Sequence, residues 1–261
     1  MSKDLKAASS PILVLERIRM RFGGVAALSG IDYEIPHGLI QSVIGPNGAG
    51  KTTLFNCISG LLEPSSGEIF FEGRKINGLY PHRIADLGIS RTFQHVALFR
   101  SMTVLENVML GLHSRTKCGF LAAGFRLPGM RREEKQIAEK AMNCLECVGL
   151  AHTARLPAGT LPLGKQKTLE IARALAVEPR LILLDEPAGG LNMTETGRLG
   201  ELIHGIRCKG ITVMLVEHDM SLVMDISDRI LVLNFGEPIA TGTPDEVKAN
   251  AAVIEAYLGC D

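Results

Sequence analysis

Hydrophobic and polar positions along the chain follow two different periods. Short apolar runs predict strands at Ile12–Leu15, Leu39–Ile44, Gly67–Phe71, Leu181–Leu184, Ile211–Val216 and Arg229–Asn234. Other stretches have helical periodicity: within Arg131–Val148, apolar residues recur at positions 137, 141, 145 and 148, on one helix face. Gly149 is placed to cap that helix. This alternation of strands and helices favours an α/β fold with a largely parallel sheet.

The early strands follow a different spacing. Ile31–Ile35 and Gly67–Phe71 are arranged as in hairpins, which predicts a separate antiparallel layer. No apolar run approaches the roughly 18 residues that a membrane-spanning helix needs. The first ten residues do not form the apolar core of a secretory signal. We therefore expect any association with a membrane to depend on a partner protein.

Composition narrows the class of protein. The 261 residues are 46% hydrophobic and carry 28 Lys and Arg against 28 Asp and Glu. That balance is typical of a globular protein, and a net charge of zero gives no electrostatic reason to expect a nucleic-acid partner. Six cysteines in a chain of this length are too few for a disulfide framework, which favours a reducing cytosol.

A glycine-rich segment lies between the apolar run Leu39–Ile44 and the helical run Lys51–Ser59. It fits the phosphate-loop pattern, in which glycines let backbone N–H groups face an anion at a helix N-terminus. Lys51 is expected to reach the β and γ phosphates of a nucleotide, and the Thr52 hydroxyl to ligate Mg²⁺. The predicted nucleotide contacts here are Gly45, Pro46, Asn47, Gly48, Ala49, Gly50, Lys51, Thr52 and Thr53.

Two carboxylates end the apolar run Leu181–Leu184. A buried strand would deliver both of them to one edge of the sheet. Asp185 is expected to hold the Mg²⁺ shell, and Glu186 to polarise the water that attacks the phosphate. Carboxylates commonly end strands, so this motif alone is a weak signal. It indicates a nucleotide site because a phosphate loop lies upstream.

Further motifs lie around these two. Gln94 follows a strand-like stretch, and His218 follows the run Ile211–Val216. In this order and spacing, the motifs resemble those of the ATP-binding subunits of ABC transporters from about Leu13 to Leu258. The resemblance implies that Gln94 contacts nucleotide and Mg²⁺ and links them to a membrane partner. It also implies that His218 contacts the γ-phosphate.

The same resemblance implies a fold and a ligand. The fold is an α/β P-loop NTPase (RecA-like) core with an antiparallel β subdomain and an inserted helical subdomain. A single ATP-binding domain would span residues 12–258, with the catalytic core in 12–93 and 166–258 and the helical subdomain in 94–165. The ligands are ATP and Mg²⁺, and an aromatic residue at the position of Phe22 stacks on adenine in that family.

One segment departs from the family pattern. Leu161–Lys167 occupies the position of the signature segment, which usually reads Leu-Ser-Gly-Gly-Gln. In that family, the serine hydroxyl and glycine amides hold the γ-phosphate that is bound by the opposite subunit. Pro162 has neither a hydroxyl nor a backbone N–H. Gly164 keeps its amide, and Lys165 could supply point charge in place of directed hydrogen bonds.

A narrower resemblance concerns the branched-chain amino acid importers. It is carried by residues 91–96, 98–100, 102–107, 169–175 and 217–220 and by the C-terminal stretches 242–244 and 256–259. The apolar insertion between His113 and Arg132 resembles the longer of the two ATPase subunits that these importers carry. The implied partners are two membrane permeases, a second ATPase in a heterodimer or alternatively a homodimer, and, indirectly, a solute-binding protein. The implied location is peripheral, on the cytoplasmic face of the inner membrane.

Other functions stay open at this stage. An ATPase for another solute, such as urea or short-chain amides, or for lipopolysaccharide export, would have a similar cassette. A regulatory subunit that binds ATP with little turnover would suit the altered signature segment, although Glu186 and His218 argue against it. Soluble ABC ATPases of translation or DNA repair usually carry two cassettes or long coiled-coil arms, and the sequence shows neither.

Overall fold

In the computed structural model, residues 10–92, 97–113 and 128–258 are described, and they form two sheets and a set of helices. The strands are β1 (Leu13–Phe22), β2 (Val25–Ile35), β3 (Ile40–Ile44), β4 (Ser66–Phe71), β5 (Arg74–Lys75), β6 (Ile89–Arg91), β7 (Leu181–Asp185), β8 (Thr212–Val216), β9 (Arg229–Asn234) and β10 (Glu237–Gly242). The helices are α1 (Lys51–Ile58), α2 (Pro81–Leu87), α3 (Val104–His113), α4 (Pro128–Cys147), α5 (Leu163–Leu175), α6 (Met193–Cys208), α7 (Met220–Ile226), α8 (Pro244–Lys248) and α9 (Ala251–Leu258).

The larger sheet has the strand order β10-β9-β3-β8-β7-β6. Strands β9, β3, β8, β7 and β6 pair in parallel, and β10 joins the edge in antiparallel orientation. Every residue of β3, β7 and β8 is buried, which explains why these strands occur in the sequence as continuous apolar runs. Because β3, β8 and β7 are neighbours, the residues that follow them meet at one edge of the sheet.

The smaller sheet has the order β2-β1-β4-β5, and all its pairs are antiparallel. The predicted antiparallel layer is therefore confirmed. Strand β1 extends well beyond the predicted run Ile12–Leu15, and its register shifts between Leu15 and Ile18. Arg17, within the shift, has a φ of 49°. This bulge moves the buried side from Leu15 to Ile18 and interrupts the period of two in the sequence.

Helices α3, α4 and α5 enclose an apolar cluster of their own, which includes Val108, Leu145 and Leu169. Helix α5 begins at Leu163, and the predicted subdomain boundary at residue 165 therefore falls inside it. The predicted insertion between His113 and Arg132 lies mostly outside the described residues.

Two other packing clusters lie on either side of the larger sheet, one with the β layer and α1 and one with α5, α6 and α7. Within the described ranges, no helix has the length and apolar character needed to cross a bilayer.

Candidate functional site

The phosphate loop joins β3 to α1, as its sequence pattern predicts. Gly45 and Gly50 have φ values of 150° and 99°. A Cβ at Gly45 would lie 2.1 Å from the carbonyl oxygen of Leu233, and one at Gly50 would lie 2.5 Å from that of Ala27. Only glycine fits these two positions, because both the backbone conformation and the neighbouring backbone exclude a side chain. The loop is thereby fixed in front of the helix N-terminus.

Lys51 folds back across this loop. Its Nζ donates hydrogen bonds to the carbonyl oxygens of Gly45, at 2.6 Å, and Pro46, at 2.9 Å. Burial lowers the pKa of the Lys51 ammonium, and the nearby carboxylates of Glu186 and Asp185 oppose that shift. The loop therefore presents a positive charge that faces both carboxylates of the second motif. The Thr52 side chain, one residue further along α1, is exposed.

Asp185 ends β7 with a side chain that is only 2% exposed. Its Oδ2 accepts a hydrogen bond from Arg91 Nη2 at 2.7 Å. Its Oδ1 is buried and has no hydrogen-bond partner among the described residues. Buried polar atoms are normally satisfied, so this oxygen is chemically suited to a cation. Mg²⁺ commonly uses one or two carboxylates plus substrate phosphates, and Asp185 with the exposed Thr52 hydroxyl fits that donor set.

Glu186 has a left-handed backbone conformation, with a φ of 47°. For a residue with a side chain, such a conformation costs on the order of 1–3 kcal/mol and persists only where the surroundings enforce it. Glu186 Oε1 lies 2.7 Å from Nε2 of His218, which follows β8. The structure thus brings together the two side chains that the sequence predicts to be catalytic.

The remaining predicted residues lie in other places. Phe22 ends β1 with its side chain 49% exposed. Gly164 is in the first turn of α5, where backbone N–H groups lack partners within the helix. The atoms nearest to a Cβ built at Gly164 all belong to Glu195, so this residue does not adjoin the phosphate loop of its own chain. Gln94 lies outside the described residues.

Arg91 is a residue of the site that the sequence analysis did not identify. Besides Asp185, its guanidinium donates to Asn56 Oδ1 at 2.7 Å and to Ser59 Oγ at 2.9 Å, both in or beside α1. Arg91 therefore joins the helix after the phosphate loop to the strand that carries Asp185. The signal in the sequence is its place three residues before Gln94, at the end of the strand-like stretch that precedes Gln94.

Comparisons with known proteins agree with this geometry. Residues 28–189 match the family model described as "ABC transporter", and residues 237–259 match one described as "Branched-chain amino acid ATP-binding cassette transporter". In a solved structure, the ADP conformation of an ATP-binding cassette of an ABC transporter superposes with a TM-score of 0.85 at 34% identity, covering 96% of this chain and 100% of that one. A nucleotide-free cassette gives a TM-score of 0.84 at 33% identity, over 95% of this chain and 99% of its own. The chain belongs to the ABC transporter family, as an ATP-binding cassette.

Relatives with curated names narrow the class further. The chain is 48% identical over 252 residues to the high-affinity branched-chain amino acid transport ATP-binding protein BraF of Pseudomonas aeruginosa, covering 96% of this chain and 99% of that protein. It is 45% identical to the high-affinity branched-chain amino acid transport ATP-binding protein LivG of Escherichia coli K12, with the same coverage. The resemblance to the branched-chain amino acid transport cassettes is thereby confirmed along nearly the whole chain.

Proposed function

We propose that this chain hydrolyses MgATP to power the import of branched-chain amino acids. The observation that carries the proposal is the contact of Glu186 with His218 beside Lys51, at the edge where β3, β7 and β8 end. The phosphate loop would bind the nucleotide through its backbone N–H groups and Lys51. These groups suit phosphoryl transfer, in which the protein mainly positions the reactants and stabilises charge.

In this mechanism, the carboxylate of Glu186 accepts a proton from the attacking water. His218 holds Glu186 through the 2.7 Å contact and, as the family resemblance implies, would contact the terminal phosphate. Thr52, Asp185 and, on the sequence pattern, Gln94 would hold Mg²⁺. When bound, that ion neutralises charge on the phosphate oxygens. Phe22 would stack on the adenine ring from the end of β1.

The permeases would dock at an apolar cavity of about 450 Å³ between the core and the helical part. Its lining includes Leu61, Ile84, Phe99, Leu110 and Val177. Phe99 is 57% exposed, although its backbone N–H is fixed to Asn107 Oδ1 at 2.9 Å. An exposed aromatic ring on a fixed backbone suits a groove that receives a helix from another protein. A permease docked there, one of two in the complex, would hold the chain at the cytoplasmic face of the inner membrane.

A second ATPase would complete the nucleotide sites. In one solved structure, described as the dimeric structure of a bacterial ABC transporter cassette, the match has a TM-score of 0.75 at 28% identity, covering 89% of this chain and 98% of that one. Gly164 lies apart from the phosphate loop of its own chain, which supports a role opposite a partner's nucleotide. We propose a heterodimer with a different ATPase, in a complex that a solute-binding protein supplies from outside.

Pro162 favours a second candidate function. It is the N-cap residue of α5, where a serine would offer a hydroxyl. In a homodimer this segment would complete both nucleotide sites, and such a subunit could bind ATP and regulate transport with little turnover.

The test of the main proposal is uptake by a strain that lacks the gene. Plasmid-borne wild-type chain should restore uptake of labelled leucine, isoleucine and valine, whereas Lys51→Ala should not. Restored uptake of urea, or a defect confined to lipopolysaccharide export, would instead identify another solute. Equal restoration by Lys51→Ala would contradict ATP-driven transport through this subunit.

A further inference from the structure

The left-handed backbone of Glu186 is held from one side by helix α5. Lys167, in that helix, donates a hydrogen bond from Nζ to the backbone carbonyl oxygen of Glu186 at 2.9 Å. The N–H of Glu186 itself donates to the Val216 carbonyl oxygen at 2.9 Å. Both backbone polar groups of Glu186 are thus hydrogen-bonded, and these contacts enforce its strained backbone conformation.

From the other side, Glu217 holds the segment that follows. Its Oε1 accepts the backbone N–H of Ala188 at 2.5 Å, and its Oε2 accepts the backbone N–H of His218 at 3.0 Å. The side chain of Glu217 is buried, and it lies next to His218 in the chain. One carboxylate therefore fixes both the backbone that follows Glu186 and the backbone of His218.

The two residues also complement each other in charge. Burial lowers the pKa of the Lys167 ammonium and raises the pKa of the Glu217 carboxyl, and the charge of each residue opposes that shift in the other. Burial of a single charge would be costly, whereas opposite charges with satisfied hydrogen bonds are tolerated. Glu170, one turn along α5, adds a second buried carboxylate near Lys167 and accepts the N–H of Ala97 at 2.7 Å.

We propose that Lys167 and Glu217 are positioning residues, which hold Glu186 and His218 in the geometry needed to activate water. This inference rests on the proposed function, because it assigns the base to Glu186. It also gives α5 two roles. The helix begins at the segment that would face the partner's nucleotide. Pro162 and Lys167 are separated by less than two helical turns, so the partner's site and this chain's own base share one rigid element.

The test uses the transporter assembled with its permeases and both ATPase subunits in lipid. Lys167→Met keeps the bulk of the side chain but removes the donor, and we expect kcat to fall by about 10²-fold, as for small misplacements of reacting groups. The affinity for ATP, measured by titration with a fluorescent ATP analogue, should stay unchanged. Lys167→Arg, which keeps charge and donors, should recover part of kcat. The control, Lys75→Met, removes an exposed lysine of the β layer and should have wild-type kcat.

Glu217→Gln provides an independent variant of the same size if Lys167→Met does not fold. Its amide oxygen can still accept one N–H, but not both, so kcat should fall while ATP affinity is kept. A wild-type kcat in either folded variant would overturn the proposal, and so would a loss confined to ATP affinity.

A double variant separates positioning from a general loss of structure. If Lys167 acts through Glu186, then Lys167→Met should lower the residual turnover of Glu186→Gln little or not at all. A further loss as large as in the wild-type background would overturn the inference and leave the proposed function intact. Wild-type turnover by Glu186→Gln itself would instead contradict the catalytic role of Glu186.

Discussion

Asp185 and Arg91 form a buried pair in which the two carboxylate oxygens have different surroundings. Oδ2 accepts from Arg91 Nη2 at 2.7 Å, while Oδ1 has no hydrogen-bond partner within the part of the chain that the structure describes. The pair therefore fixes the orientation of the carboxylate and leaves one oxygen available to a cation. Since Arg91 also binds Asn56, the same contact ties β7 to α1.

Removal of Arg91 should destabilise the fold strongly. In Arg91→Met, Asp185 would be left buried without its cation, and breaking a buried pair in this way costs about 3–5 kcal/mol. Methionine would place an apolar side chain beside Phe55, whose ring centroid lies 5.8 Å from the guanidinium carbon of Arg91. Urea unfolding in the absence of nucleotide would measure the change. Arg83→Met, which breaks only an exposed pair with Asp86, should cost no more than about 1 kcal/mol. Equal losses in the two variants would contradict this account.

Glu186→Gln should retain MgATP binding and lose turnover. The amide keeps the size of the side chain, but it cannot accept a proton from water, and general-base catalysis typically contributes about 10²–10⁴-fold. Steady-state ATPase measurements on the transporter in lipid, beside nucleotide-binding titrations, would separate the two effects. Glu201→Gln, an exposed change on α6, is the matched control. Near-native turnover in Glu186→Gln would remove Glu186 from the mechanism.

The sequence predicts the parts of the fold whose physical signal is local. Strand β7 was recognised because a strand buried on both faces is apolar throughout. The extent of β1 was not recognised, because a bulge near Arg17 interrupts the alternation of inward and outward positions. Strand β6, Ile89–Arg91, is too short to show a period, and the sequence indicates it only as a strand-like stretch before Gln94.

The residues of the candidate site also differ in whether a local sequence signal predicts them. The sequence predicts Lys51 from the spacing of the phosphate-loop pattern and Asp185 from its place at the end of an apolar strand. The contacts of Arg91 and Lys167 could not be predicted, since they depend on which strands and helices lie side by side. Arg91 meets Asp185 only because β6 and β7 pair, although the two residues are far apart in the sequence.

Phe99→Asp should separate ATP binding from assembly. The aromatic ring lines the apolar cavity and is exposed, so a carboxylate there should leave the folded cassette and its phosphate loop intact. We expect the isolated subunit to bind ATP normally but to fail in a pull-down with the permeases. The control is Ile254→Asp on α9, which changes an exposed apolar side chain outside the cavity. Unchanged recovery of the permeases with Phe99→Asp would place their docking surface elsewhere.

Cys57 should resist alkylation in the folded protein. Burial raises the pKa of its thiol to about 11, from an ordinary value of 9.0, so the reactive thiolate is scarcely populated at pH 8. Cys208 has an exposed side chain and should react readily. Iodoacetamide labelling at pH 8, read by peptide mass spectrometry, should modify Cys208 first and Cys57 only after unfolding in urea. Equal labelling rates in the folded chain would contradict the burial of Cys57 inside α1.

In the proposed heterodimer, the start of α5 would make the two nucleotide sites unequal. Pro162 caps the helix without a hydroxyl or an N–H, and Gly164 in the first turn keeps its amide. If the partner's signature segment is intact, then the site built on Lys51 of this chain is fully equipped. The opposite site would be completed by Pro162 and Gly164, and it would lack the serine hydroxyl and the backbone amide at position 162.

The site built on Lys51 should therefore be the faster one. Hydrogen bonds to charged groups are worth about 1.5–3 kcal/mol each, so one unreplaced bond would slow the opposite site by roughly 10- to 150-fold. Lys165 is exposed near that position and could recover part of the loss through its charge. The measurement compares Lys51→Ala in this chain with the equivalent lysine change in the partner, each in the assembled transporter. The first variant should lose most of the ATPase activity and the second much less, and Pro162→Ser should raise the activity that remains in the first. Equal losses from the two lysine variants, with no gain from Pro162→Ser, would show that the altered segment does not limit turnover.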